Sequence, residues 1–121
     1  MMMDEFSGVD AAGRIDLASI EAAAQRIAPH IVSTPLLESP RLNEWLGFRL
    51  LIKPENLQHT GSFKLRGASN AIWSLDDTIK KVFAYSSGNH AQGVARAATS
   101  RGLHATILMP EHSPKAKMTG T

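Results

Sequence analysis

The chain has 121 residues, with 13 basic and 11 acidic side chains for a net charge of +2, 43% hydrophobic residues and no cysteine. The missing thiols exclude a disulfide framework, a cysteine nucleophile and a zinc–thiolate site. Scattered basic residues argue against a nucleic-acid partner, and no apolar run nears the ~20 residues of a membrane helix.

Residues 1–15, with Gly8 and Gly13 and no periodicity, read as a flexible leader that lacks an apolar signal core. The lack of cysteine fits a reducing cytoplasm, and a cytoplasmic protein is expected. Asp16 can cap a helix whose apolar face would use Ile20, Ala23, Ala24, Ile27 and Ile31, until Pro29 ends or kinks it. A short extended piece is expected at 34–38. Ser39-Pro40 predicts an N-cap with proline at the first helical position, and Gly47 predicts the stop of a short helix bearing Leu42, Trp45 and Leu46. Phe48–Lys53 is a strand candidate and 54–61 a polar loop. Ser62 is expected to open a helix that runs to about Leu75, followed by a polar break at Asp76-Asp77-Thr78.

The next stretch predicts a β-α-β crossover. Val82–Ser86 reads as a strand and Ser87-Gly88-Asn89 as a tight turn. His90–Arg101 reads as a helix with Ala91, Val94, Ala95 and Ala98 on one face, Gly102 as its C-terminal cap, and Ala105–Met109 as the second strand. Strands joined this way run parallel. Ser113-Pro114 predicts one more capped helix. Trp45 and Trp73 read as core or interface residues.

Two segments could carry chemistry. Lys64 follows Gly61-Ser62-Phe63 at the start of a helix. A lysine in a helix is ordinarily a solvated charge, but at a helix N-terminus an ammonium meets the positive end of the dipole. That favours the neutral amine, the form that attacks an aldehyde cofactor. Ser86-Ser87-Gly88-Asn89-His90 joins a strand end to a helix N-terminus, where backbone amides can hold a carboxylate or phosphate. Taken alone, Ser-Gly-Asn reads first as a plain helix cap, with Ser87 or Asn89 satisfying its own backbone. Arg66 reads as a salt-bridge partner on the helix surface. The five histidines show no metal-ligand spacing, so no metal site is expected.

Lys53–Ala68, with its Gly-Ser-Phe-Lys-x-Arg-Gly signature, together with Ser-Ser-Gly-Asn-His-Ala-Gln-Gly at 86–93, resembles the pyridoxal-phosphate-dependent serine/threonine dehydratase family, which includes serine racemases. The resemblance runs from about Asp16 to the last residue. It implies a fold-type II, tryptophan synthase β-like α/β architecture, three-layered α/β/α with a parallel β-α-β unit. Because family members are much longer, the chain is expected to be an N-terminal portion. Residues 16–76 would then be the N-terminal part of the large cofactor domain and 77–121 the start of the small α/β domain.

The resemblance also implies roles. Lys64 would hold pyridoxal 5'-phosphate as a Schiff base and move the α-proton. Phe63 would flank the cofactor ring, and Asn89 would bond its phenolic oxygen. Ser86, Ser87, Gly88, Asn89 and His90 would hold the substrate carboxylate, and Ser87 would face the α-carbon opposite Lys64. The reaction implied is α,β-elimination from L-threonine or L-serine to a 2-oxo acid and ammonia. The alternatives are a serine racemase-type isomerase and a truncated, non-catalytic remnant. The glycine-rich phosphate cup of the family has no counterpart here, so the chain alone is expected to be inactive. The partners implied are a small amino-acid substrate and further copies of the chain in full-length relatives, with no nucleic acid or membrane.

Overall fold

The computed structural model describes residues 15–121, so all but the last residue of the expected leader lies outside the described residues. Helix α1 (Leu17–Ile27) starts where Asp16 accepts a bond from the Ser19 amide at 2.7 Å. Pro29 does not allow the helix to continue, and the chain tightens into a 3-10 turn over Ala28–His30. Ile31 therefore lies beyond α1, and Ile20 points to solvent; of the apolar face read from the sequence, Ile27 is the buried residue.

Strand β1 (Leu37–Glu38) pairs antiparallel with β2 (Leu51–Ile52) around helix α2 (Pro40–Leu46). Ser39 caps α2 by accepting from the Leu42 amide, and Gly47 ends it at φ +72°, a left-handed position that costs glycine nothing. Phe48–Lys53 is not a full strand. Its ladder partner β1 offers two residues, so β2 is two residues long and Phe48 stays exposed. Trp45 is 83% exposed and is no core residue among those described.

Helix α3 (Lys64–Trp73) begins two residues later than Ser62, which serves no cap. Gly61, at φ +67°, turns the chain sharply, and Phe63 stands in the N-cap position with its carbonyl accepting from the Arg66 amide. At the far end the Leu75 amide bonds to the Ile72 carbonyl, so the last turn tightens and the helix closes at Trp73.

The crossover is as the sequence predicts, with strand bounds one residue earlier. Strand β3 (Lys81–Tyr85), helix α4 (Asn89–Arg101) and strand β4 (His104–Leu108) form a parallel pair in register Lys81↔His104 to Tyr85↔Leu108. Gly102 ends α4 at φ +74°. Strand alternation turns Val82, Ala84, Ala105 and Ile107 onto α3 and α4, where Ala68, Ile72, Val94, Ala97 and Ala98 form the core. Burial of Leu65 and Ile72 contributes about 2 kcal/mol each. The opposite face of the pair, with Phe83, Tyr85 and Leu108, is open to solvent.

Helix α5 (Lys115–Gly120) closes the described chain. Ser113 does not cap it. Its hydroxyl donates to the Pro110 carbonyl at 2.7 Å, and Pro114 takes the N-cap position, not the first helical one.

Candidate active site

The loop that carries Lys64 is fixed from behind. Glu55 receives two bonds from the Arg66 guanidinium, at 2.8 and 2.7 Å, and one from the Thr34 hydroxyl at 2.6 Å. The paired guanidinium holds the Glu55 carboxyl down at about 2. Lys53 donates to the Thr34 carbonyl at 2.6 Å. The buried Gln58 side chain bonds both the amide and the carbonyl of Val32, at 2.8 and 3.0 Å. The extended segment at 32–34, the turn at 55–58 and the first turns of α3 are thereby tied together. Arg66 is a salt-bridge residue, as read from the sequence, but its partner lies eleven residues away and outside the helix.

Helices α3 and α4 lie side by side and run in the same direction. The contacts advance together: Gly93 meets Lys64, Leu65 and Ala68, and Arg101 meets Ile72 and Leu75. The first approach depends on glycine. A Cβ on Gly93 would sit 3.3 Å from both Ala68 Cβ and the Lys64 carbonyl oxygen, and 3.4 Å from the Leu65 nitrogen. The two N-termini consequently open at one end of the pair. Asn89, first residue of α4, is four residues or ~6 Å along the axis from that contact.

At that end Lys64 is exposed, with its Nζ 5.1 Å from the Phe63 ring centroid. The Phe63 ring is itself exposed. Just before it, the buried hydroxyls of Thr60 and Ser62 have no protein partner. In the β3–α4 turn the Ser86 hydroxyl accepts from the Gly88 amide at 3.3 Å. No side chain caps α4, so its first amides are not taken by Ser87 or Asn89. The plain-cap reading is therefore not what this turn adopts. Ser87, Asn89 and His90 are exposed, and Gly88 and Ser86 are half-buried. The Asn89 side-chain oxygen Oδ1 instead accepts from Lys117 Nζ on α5.

The structure thus places Phe63 and Lys64 at the start of α3 and Ser86, Ser87, Gly88, Asn89 and His90 at the start of α4, on neighbouring helix ends. Sequence reasoning missed Glu55, Thr34, Gln58 and Lys117. Their partners are 11 to 32 residues away, and no local pattern marks such pairs. Gly93 carries the one available signal, a glycine inside an otherwise good helix, which points to close packing.

The cofactor implied by the resemblance fits the ring-and-aldehyde end of this arrangement. An accessible amine stands beside a flat apolar ring, a carboxamide lies at the adjacent helix start, and two orphaned hydroxyls sit in the loop just before the lysine. Among the described residues, no group of three or more His, Asp or Glu could hold a metal ion. No described helix is long and apolar enough to cross a membrane.

Comparison with known proteins finds longer relatives of the same kind. The β-hydroxyaspartate dehydratase of Paracoccus denitrificans is 48% identical over 98 residues, covering 79% of this chain and 31% of that protein. The catabolic L-threonine dehydratase TdcB of Staphylococcus aureus is 47% identical over 110 residues, covering 88% and 32%. The solved structure of maize serine racemase superposes with a TM-score of 0.81 at 44% identity, covering 87% of this chain and 32% of that one. The chain spans about a third of the length of these relatives. The family model described as pyridoxal-phosphate dependent enzyme matches residues 27–121, and the chain belongs to that family.

Proposed function

We propose that this chain is the lysine-bearing part of a pyridoxal-phosphate-dependent ammonia-lyase that eliminates water from L-threonine or L-serine, the enamine so formed being hydrolysed to a 2-oxo acid and ammonia. The observation that carries the reading is the shared opening of two parallel helices, with an exposed lysine on one start and uncapped amides on the other. In this reading residues 16–76 belong to a cofactor domain and 77–121 to a smaller α/β domain, and the working protein acts as an oligomer in the cytoplasm.

Bound pyridoxal phosphate would supply an electron-withdrawing ring that accepts the charge developed at the α-carbon. The chain's own residues do the rest. Lys64 Nζ would hold the cofactor through its aldehyde and would take the α-proton. Phe63 would flank the ring and shield one side of it from water. The amides after Gly88, with the hydroxyls of Ser86 and Ser87, hold the substrate carboxylate against the α4 N-terminus. His90 lies in that turn, and Asn89 would donate to the ring oxygen. No glycine-rich run in this sequence cradles the phosphate, so no residue is assigned to it.

A racemase reading is supported by one feature. The Ser87 hydroxyl is exposed and has no hydrogen bond among the described residues, which would leave it available to exchange a proton with the substrate. The test is product analysis with pyridoxal phosphate and L-threonine or L-serine, using the wild-type, Lys64→Ala and Ser87→Ala chains. A 2-oxo acid that needs Lys64 but survives Ser87→Ala supports the lyase. D-serine lost in both variants supports the isomerase, and no Lys64-dependent product refutes both.

A further inference from the structure

We infer that Lys117 is a positioning residue, which turns the Asn89 carboxamide so that its NH2 group faces the cleft at the paired helix starts. The inference rests on the cofactor reading above and adds to it a residue from α5. Lys117 Nζ donates to Asn89 Oδ1, and 3.4 Å away lies Gln92 Oε1. An ammonium carries three donors and no acceptor, so it can meet only the oxygen of an amide. The Asn89 oxygen is thereby occupied, and its NH2 is left to address an acceptor such as the cofactor's phenolic oxygen. Without Lys117 the two ends of the amide would be nearly equivalent, and half of the rotations would present an oxygen to an oxygen.

The charge arrangement points the same way. Lys117 pairs with no carboxylate among the described residues; its partners are two neutral amides. It stands beside the N-terminus of a 13-residue helix, which is itself positive. Two uncompensated positive sources next to one carboxamide favour a negatively charged oxygen there. Lys117 is 28 residues from Asn89 in sequence, and it is α5 that brings it back across the turn.

The test compares the wild-type chain with Lys117→Met and Lys117→Arg, in two measurements. In the ligand-free chain, the Asn89 side-chain amide resonances, assigned by their loss in Asn89→Ala, are expected to move in Lys117→Met and to return toward wild type in Lys117→Arg. With pyridoxal phosphate bound, the ratio of the visible to the near-ultraviolet cofactor band is expected to fall at least about twofold in Lys117→Met. Lost donation favours the neutral phenol, while Lys117→Arg restores the ratio. Amide resonances unmoved by Lys117→Met overturn the inference, as does an unchanged band ratio. A wild-type chain without any Lys64-dependent band refutes the cofactor reading instead, and the amide resonances still decide whether Lys117 orients Asn89.

Discussion

Replacing Glu55 by glutamine keeps the shape of the clamp behind Lys64 and removes its charge. The carboxyl accepts three bonds and its side chain is 13% exposed. Its value falls from the ordinary 4.5 to about 2, chiefly through the Arg66 guanidinium. At ~1.4 kcal/mol per unit the shift corresponds to at most about 3 kcal/mol. The Arg66 side chain is 31% exposed, so water screens part of this, and an expected loss of roughly 2 kcal/mol remains. Because the folded value lies below the unfolded one, this contribution is complete above pH 4.5 and disappears as pH falls toward 2. By pH 3 it should be roughly halved. Urea unfolding followed through Trp73 fluorescence, at pH 7 and pH 3, measures it directly. A Glu55→Gln penalty below about 0.5 kcal/mol at pH 7, or one that does not shrink at pH 3, refutes the reasoning.

Glycine-to-alanine substitutions at two helical sites should separate. Nothing lies within 4 Å of a Cβ on Gly67, so Gly67→Ala should gain about 1 kcal/mol from helix propensity. Gly93→Ala meets the Lys64 carbonyl and Leu65 nitrogen, so overpacking should cancel that gain and cost up to ~2 kcal/mol net; equal midpoints in urea would contradict this packing. Arg101 donates to the carbonyls of Ile72 and Leu75 and to Asp77, and lies over the Trp73 ring. Arg101→Lys loses the planar fork and should cost about 2 kcal/mol, read as a lower thermal midpoint; a change under half of that would show the carbonyls are satisfied without it.

What was legible in the sequence was local. Asp16, Ser39, Gly47 and Gly102 set helix ends by their own side chains or by a left-handed φ, and each does so in the structure. The strands read at 82–86 and 105–109 form one residue earlier, at 81–85 and 104–108, with one face against α4. Where a partner decided the outcome, the sequence was silent. β2 is limited by the length of β1, Ser113 spends its hydroxyl on Pro110, and Trp45 stays exposed among the described residues. The site divides the same way. Phe63, Lys64 and the 86–90 turn are visible as motifs, whereas Glu55, Thr34 and Lys117 act through contacts that only the folded chain makes.

The central claim is that the starts of α3 and α4 present Lys64 as the amine for pyridoxal phosphate. Borohydride trapping of the cofactor on the purified chain, followed by peptide mapping, tests it most directly. The account predicts saturable modification at Lys64 and its loss in Lys64→Ala. Label spread over Lys53, Lys80, Lys81 and Lys115, and unaffected by Lys64→Ala, would contradict it.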